Sequence, residues 1–415
     1  MQFPFLRTLV TLCLCATLLI PSEAGAQATP DSLLTLACPA GSTNDHPCRA
    51  VYYFGSDGKR HAFPHEKVYF TWYAGFSGVR TVSGAFLTSL PLGSNVTYRP
   101  GVRMVKFTTD PNVYAVALGG ELRWVKTEAL AIAFYGENWN QRIDDISDAF
   151  YVNYHFGPDI VTEQDFDPAT EQSATVSIDD DLPATHRSLT VSAATGSFSV
   201  ELVKLQRKRY RMITETAEGR DCGSNCAAIS LRDYVTATQA DAGIHGSYSC
   251  PPDYADCVEK INTFLSPFFD TTAGAMINQS GMAVHKGPML TYSPEGLYRF
   301  FHRTRDVTGA MEAAASNYPS LVENGTVIVQ SEERLEDEMR TTKGVRGAIG
   351  IDDHFVYLVI ARQATVPDVA EIMKTLGSTH ALNLDGGGSA ALWFEGSYAF
   401  GPGRLLPNAI LFKQK

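Results

Sequence analysis

The chain has 415 residues, of which 44% are hydrophobic and 19% charged, and its formal net charge is −11. That apolar content excludes disorder as the main state, and the spread of charge along the chain excludes a multi-span membrane protein. The acidic balance leaves no basic footprint for nucleic acid and no cationic face for anionic lipid, and the length suggests two domains.

Residues 1–26 read as an export signal. Arg7 supplies the positive charge, residues 8–20 form an apolar stretch too short to span a bilayer comfortably, and Ala24-Gly25-Ala26 fits the small-x-small cleavage rule. The expected setting is therefore secreted, cell-surface or periplasmic, with no membrane segment after cleavage. Cys13 and Cys15 leave with the signal. The remaining six cysteines form three local pairs, Cys38 with Cys48, Cys222 with Cys226 and Cys250 with Cys257. In an oxidising compartment these read as three disulfides. A four-cysteine zinc site from the last two pairs is the alternative, but their spacings are not the two-residue knuckles that zinc prefers. No metal or cofactor is expected.

Residues 36–158 contain an internal repeat. Val51-Tyr52 is echoed by Val113-Tyr114 and Gly58 by Gly120. Further on, Val79, Val82, Ser83, Ala85, Phe86 and Gly93 match Ile143, Ile146, Ser147, Ala149, Phe150 and Gly157. The two copies, at about 51–93 and 113–157, each read as a β-hairpin, a helix (66–73 or 126–135) and an aromatic-rich tail, with a strand over 101–108 between them. The repeat resembles a duplicated module of bacterial exported proteins. Its aromatics include Tyr52, Tyr53, Phe54, Tyr69, Phe70, Trp72, Tyr73, Trp124 and Trp139. Most are expected in the cores of the two halves; any left exposed would suit stacking on the sugar rings of a cell-wall glycan.

Residues 159–184 are acidic and poor in apolar side chains, ending on Asp179-Asp180-Asp181. They read as an extended, solvated linker, since the run lacks the spaced oxygens of a calcium loop. The second domain covers 185–415. It opens with strands at 189–191, 198–202 and 210–213. Residues 355–360 form a continuous apolar run, as a strand buried on both faces would. An amphipathic helix follows over 366–376, with Thr365 as cap, Pro367 in the first turn and Gly377 past the end. A strand over 380–384 completes a βαβ crossover. The expected fold class is α+β or mixed α/β: a small duplicated hairpin-plus-helix module, then a mixed-sheet domain whose βαβ unit ends in a glycine-rich loop.

That loop is Asp385-Gly386-Gly387-Gly388-Ser389. Consecutive glycines after a buried strand allow a ligand to approach the main chain, and successive N–H groups form an anion-binding nest. Asp385 at the strand end is placed for acid/base or orienting work; the plainer alternative is a tight turn in which Asp385 serves its own loop. A serine nucleophile at Ser389 is disfavoured. The run misses the G-x-S-x-G elbow, and no histidine follows His380.

Asn383-Leu384-Asp385-Gly386-Gly387-Gly388-Ser389-Ala390 resembles the hallmark of the phosphodiester glycosidase family. Three other segments agree with the family in order: Pro319-Ser320-Leu321-Val322-Glu323-Asn324-Gly325, Arg346-Gly347-Ala348-Ile349-Gly350-Ile351, and Arg404-Leu405-Leu406-Pro407-Asn408-Ala409. The resemblance runs from about residue 230 to 415. It implies hydrolysis of a sugar-1-phosphodiester, such as an N-acetylglucosamine-1-phosphodiester, on an extracellular or cell-wall glycan. Asp385 would act on water or on the oxocarbenium-like transition state, Arg346 with Gly386, Gly387, Gly388 and Ser389 would hold the phosphate, Arg404 would assist, and Asn383 would orient Asp385 or the sugar. Two positions depart from the pattern. His245 stands where the family usually has Asn, and Gly347 where it usually has Thr; a histidine there is also a candidate acid/base partner of Asp385. Two other readings stay open: a glycan binder without turnover, and a phosphoesterase with a metal near Asp385 and the Asp352-Asp353 pair.

Overall fold

The computed structural model describes residues 28–43, 45–329 and 335–415. The expected signal at 1–26, with Cys13 and Cys15, lies outside the described residues.

The N-terminal part holds two small sheets of like arrangement. In the first, the strand order is Arg60–Ala62, Tyr52–Phe54, Ser32–Leu36, Val79–Val82. In the second it runs Ile143–Ile146, Met104–Phe107, Tyr114–Ala117, Glu121–Trp124, His155–Phe156. In each, a leading strand pairs antiparallel with a hairpin on one side and parallel with a later strand on the other. The leading strands are Ser32–Leu36 and Met104–Phe107. The first sheet thus starts before residue 36, and the strand read as lying between the copies opens the second. Helices Glu66–Trp72 and Glu128–Tyr135 follow the hairpins. Tyr53 and Tyr69 are fully buried, while Phe70 is half exposed.

The acidic segment is not an extended linker. It forms helices Pro168–Ala174 and Ile178–Asp181, and Ile178 packs into the N-terminal core. Its carboxylates meet specific donors instead of water. Asp179 accepts from the Ser56 N–H and pairs with Arg187. Asp180 pairs with Lys204. Asp181 accepts from the Thr97 hydroxyl and the Gly119 N–H. Gln206 Nε2 donates to the carbonyls of Asp180, Asp181 and Leu182, serving the helix end where no intrahelical donor is left. Composition shows the acids but not the donors that meet them.

The C-terminal part packs a seven-stranded sheet against two five-stranded sheets. The large sheet has the order Ala184–Ala193, Gly196–Gln206, Phe355–Ala364, Gly344–Ile351, His380–Gly386, Ser320–Glu323, Thr326–Val327. The second has the order Tyr210–Thr216, Asn408–Gln414, Ala242–His245, Leu392–Phe394, Ser397–Phe400. The third carries Phe268–Asp270, Met289–Tyr292 and Ala313–Ser316 with two flanking strands. One core joins all three sheets. Val356, Leu358 and Ile360 face this core, whereas Phe355, Tyr357 and Val359 face helix Val366–Thr375 on the outer side. Burial on both faces explains the unbroken apolar run. Thr365 and Asp368 form the capping box of that helix.

The helix does carry the chain from Phe355–Ala364 across to a parallel strand. Gly344–Ile351 lies between the two and is antiparallel to both. Every neighbouring pair in these three sheets is antiparallel, so the expected mixed sheet is not what forms. Periodicity finds the crossover but is blind to a strand inserted from earlier in the chain.

All three cysteine pairs are disulfide-bonded, Cys38–Cys48, Cys222–Cys226 and Cys250–Cys257. The last two loops are tied together through Ile261–Thr263: Cys226 N donates to the Ile261 carbonyl, and Cys250 N to that of Thr263. These four cysteines are bonded to each other and not arranged around a metal.

Candidate active site

In the ladder between Gly344–Ile351 and His380–Gly386, Arg346 faces Gly386 and Ala348 faces Asn383. Gly347 alone therefore opposes two residues, Leu384 and Asp385. Such a bulge re-aims a side chain at a strand end. Leu384 stays in the core, while the Asp385 main chain leaves the sheet and its N–H donates to the Gly246 carbonyl at 3.1 Å. The Asp385 carboxylate accepts from the Gly386 N–H at 2.8 Å. Burial pushes the carboxyl above its ordinary range, against the pull of the Ser389 hydroxyl, the Gly386 N–H and Arg404.

Gly387, Gly388 and Ser389 make one 3-10 turn, closed by the Ala390 N–H donating to the Gly387 carbonyl at 3.2 Å. Gly387 has φ +57°, a left-handed conformation, and open space around it. Gly387 and Gly388 are exposed; Ser389 is buried beneath them. The Arg404 segment wraps the turn. Arg404 N donates to the Gly388 carbonyl at 2.7 Å, and its guanidinium reaches Asp253 at 2.9 Å. On the other side, Arg346 Nη2 donates to the Thr342 carbonyl, while its buried Nε has no partner among the described residues.

Asn383 is fully buried. Its Nδ2 donates to the Tyr248 hydroxyl at 2.5 Å and to the Tyr318 carbonyl at 3.2 Å. Its Oδ1 has no partner among the described residues. Asn317 links the same groups, donating to the Asn383 carbonyl and accepting from the Tyr248 N–H. Asn408 braces Ser247 with two hydrogen bonds. The four segments singled out by resemblance thus converge. The Ser320 and Arg346 strands flank the Asp385 strand, the Arg404 segment covers its loop, and Asn408 lies beside the His245 strand.

Tyr248 was not among the residues expected here. Its hydroxyl is pushed up by burial and then by Asp385, and eased by Arg346 and Asn383, so it stays a protonated donor beside the carboxyl. The one available signal was its place three residues after His245, a position that departs from the family pattern.

Two expectations need correcting. His245 does not meet the Asp385 carboxyl as an acid/base partner: it is wholly buried, and both ring nitrogens face main chain, Nε2 the Asp385 carbonyl and Nδ1 Ala391. Burial keeps the ring neutral by lowering its pKa. Asp352 and Asp353 are not near Asp385 either. They follow the far end of the Gly344–Ile351 strand, about 20 Å from Arg346 at ~3.3 Å per residue. The Asp352 carboxylate is taken up by the N–H groups of His354 and Phe355 and by the Tyr357 hydroxyl, which makes it a turn.

Residues 257–413 match the family model described as phosphodiester glycosidase. No curated protein matches the chain. Among solved structures, the chain is similar to the catalytic domain of zebrafish N-acetylglucosamine-1-phosphodiester alpha-N-acetylglucosaminidase, at 14% identity and TM-score 0.44, over 56% of this chain and 83% of that one. It is also similar to a hypothetical protein from Synechocystis, at 13% identity and TM-score 0.39, over 56% of this chain and 62% of that one.

Proposed function

We propose that the phosphodiester glycosidase region hydrolyses a sugar-1-phosphodiester, with Asp385 as the reacting carboxyl. The observation that carries this reading is the bulge opposite Gly347, which sets a half-buried Asp385 between Arg346 and the Arg404-covered turn. A carboxyl held above its ordinary range can keep a proton to give to a leaving group and can act as a base afterwards. The phosphodiester anion needs donors that are not already spent. The half-buried Arg346 guanidinium, whose Nη2 is engaged by the Thr342 carbonyl, is one source. The amides of Gly387, Gly388 and Ser389 open a 3-10 turn that supplies them no preceding carbonyl, and they support the same role. Arg404 adds positive charge over Gly388. Asn383 fixes the Tyr248 hydroxyl beside Asp385. The substrate is a carbohydrate phosphodiester of an extracellular or cell-wall glycan, and the setting is secreted, cell-surface or periplasmic.

The test is hydrolysis of a panel of sugar-1-phosphodiesters in ¹⁸O-labelled water by the wild type and Asp385→Asn. Label in the sugar, lost with the Asn variant at an unchanged Tm, is the expected result. Label in the phosphate would make the protein a phosphoesterase. Glycan binding without turnover would make it a binder. Either of these outcomes, or turnover unchanged in the variant, overturns the assignment.

A further inference from the structure

We infer that His245 is a positioning residue for Asp385, tying the Asp385 carbonyl to the Ala391 amide across the base of the glycine loop, and that Gly347 is glycine because the imidazole fills the space a side chain there would need. The functional part of this rests on the reading above; the geometric part does not.

The tautomer follows from the partners. His245 Nε2 lies 2.7 Å from the Asp385 carbonyl oxygen, which can only accept, so Nε2 carries the proton. Nδ1 lies 3.3 Å from the Ala391 N, which can only donate, so Nδ1 is the acceptor. A neutral ring satisfies both. A second proton on Nδ1 could reach only the Ala391 carbonyl at 3.2 Å, already served by the His245 N–H, and would leave the Ala391 N–H unpaired. Asp385 begins the glycine loop and Ala391 follows it, so one side chain spans both ends. The next residue adds a second tie, since the Gly246 carbonyl accepts from the Asp385 N–H. The main chain of Asp385 is held on both sides, which fixes where its carboxyl projects.

Gly347 opposes the bulge. A Cβ there would stand 2.3 Å from both Cε1 and Nε2 of His245 and 3.0 Å from the Asp385 carbonyl oxygen. The residue is 0% exposed, so the ring has no solvent beside it to swing into. Any side chain at 347 must displace either the imidazole or the bulge. The histidine and the glycine, each a departure from the family pattern, are thus one volume-compensated change: a larger side chain on a strand of one sheet and none on the facing strand of another.

The experiment is a cycle of His245→Ala, Gly347→Ala and the double variant, with His245→Gln and His245→Leu as controls. Turnover is read on whichever sugar-1-phosphodiester of the panel the wild type cleaves, alongside Tm and the ¹⁵N spectrum of histidine-labelled protein. Gly347→Ala should lower kcat about 100-fold, as a displacement near 1 Å does, with KM changed less than about threefold. In the His245→Ala background the same substitution should cost much less, leaving only what the 3.0 Å approach to the Asp385 carbonyl imposes. His245→Gln, which can still donate to the Asp385 carbonyl, should keep more activity than His245→Leu. The spectrum should show one histidine in the Nε2–H tautomer with a slowly exchanging proton, lost in Gly347→Ala. Equal costs of Gly347→Ala in both backgrounds, or Leu as active as Gln, overturns the inference. If the wild type cleaves nothing in the panel, the functional reading fails by itself; the tautomer and the Tm cycle then decide the contact, and a Gly347→Ala melting cost that is undiminished without the imidazole overturns it.

Discussion

Gly388 lies against the guanidinium of Arg404: a Cβ on Gly388 would stand 2.4 Å from Arg404 Nη2 and 3.0 Å from Nε. The obstacle is the end of a flexible side chain. Two residues earlier the obstacle is different, since a Cβ on Gly386 would stand 2.7 Å from the Val345 carbonyl oxygen, which is main chain of the neighbouring strand. The two glycines therefore answer substitution differently. Gly388→Ala should leave Tm within a degree or two and lower turnover by moving Arg404. Gly386→Ala should cost about 1–3 kcal/mol of stability, the range for overpacking, as well as activity. Thermal melts of the two variants check this, and equal melting temperatures would contradict it.

Arg404 is itself held from outside. Its Nη1 donates to Asp253, and Asp253 sits inside the loop closed by Cys250–Cys257. Both side chains are partly exposed, so the pair by itself adds at most about 1 kcal/mol. Its role is to place the guanidinium. Replacing both cysteines with serine should therefore affect turnover more than folding at moderate temperature. It should lower kcat and weaken substrate binding together, and Asp253→Asn should reproduce a large part of that loss while the disulfide is intact. Kinetics of the two variants side by side provide the check; a cysteine variant with full activity would detach the disulfide from the site.

How far the residues alone disclose this arrangement depends on how local each interaction is. The buried strand at Phe355, the helix capped by Thr365 and the cysteine pairs are legible because their signals lie within a few neighbouring residues. Asp385 and its glycines are legible for the same reason. What stays hidden is anything set by pairing between distant segments. The bulge exists because Gly347 faces Leu384 and Asp385, and the histidine is a brace because Ala391 lies across from it. A lone histidine beside a carboxylate reads as an acid/base until its burial and both of its partners are known. Asp179 and Asp181 misled for a related reason: an acidic run reads as solvated until donors from Ser56, Thr97 and Gly119 are seen to meet it.

Tyr248 offers a test inside the site. Its hydroxyl accepts from Asn383 Nδ2, and its own proton remains available beside Asp385. Tyr248→Phe removes that donor while Asn383 Nδ2 keeps the Tyr318 carbonyl. The loss of that one donor beside Asp385 should lower kcat about tenfold, equivalent to ~1.4 kcal/mol, with little change in Tm. Turnover equal to the wild type would remove Tyr248 from the site.

The joint between the N-terminal sheets and the large sheet should respond to pH through Asp181. Burial raises its carboxyl from 3.8 to about 6, with the Thr97 hydroxyl and Gly119 N–H opposing and Glu171 and Asp180 adding to the rise. Burial also raises Glu171, in the same direction. A folded pKa above the unfolded one means that the protonated form is favoured by folding. The contribution is fully present below pH 3.8 and is lost as pH climbs through about 6. A rise of that size corresponds to at most about 3 kcal/mol. Asparagine mimics the protonated acid, since its oxygen can accept from the Gly119 N–H while its Nδ2 donates to the Thr97 hydroxyl. Asp181→Asn should therefore match the wild type near pH 4 and melt several degrees higher at pH 8. Melting curves at both pH values decide it. A constant difference between the two proteins across that range would show that Asp181 titrates alike in the folded and unfolded chain.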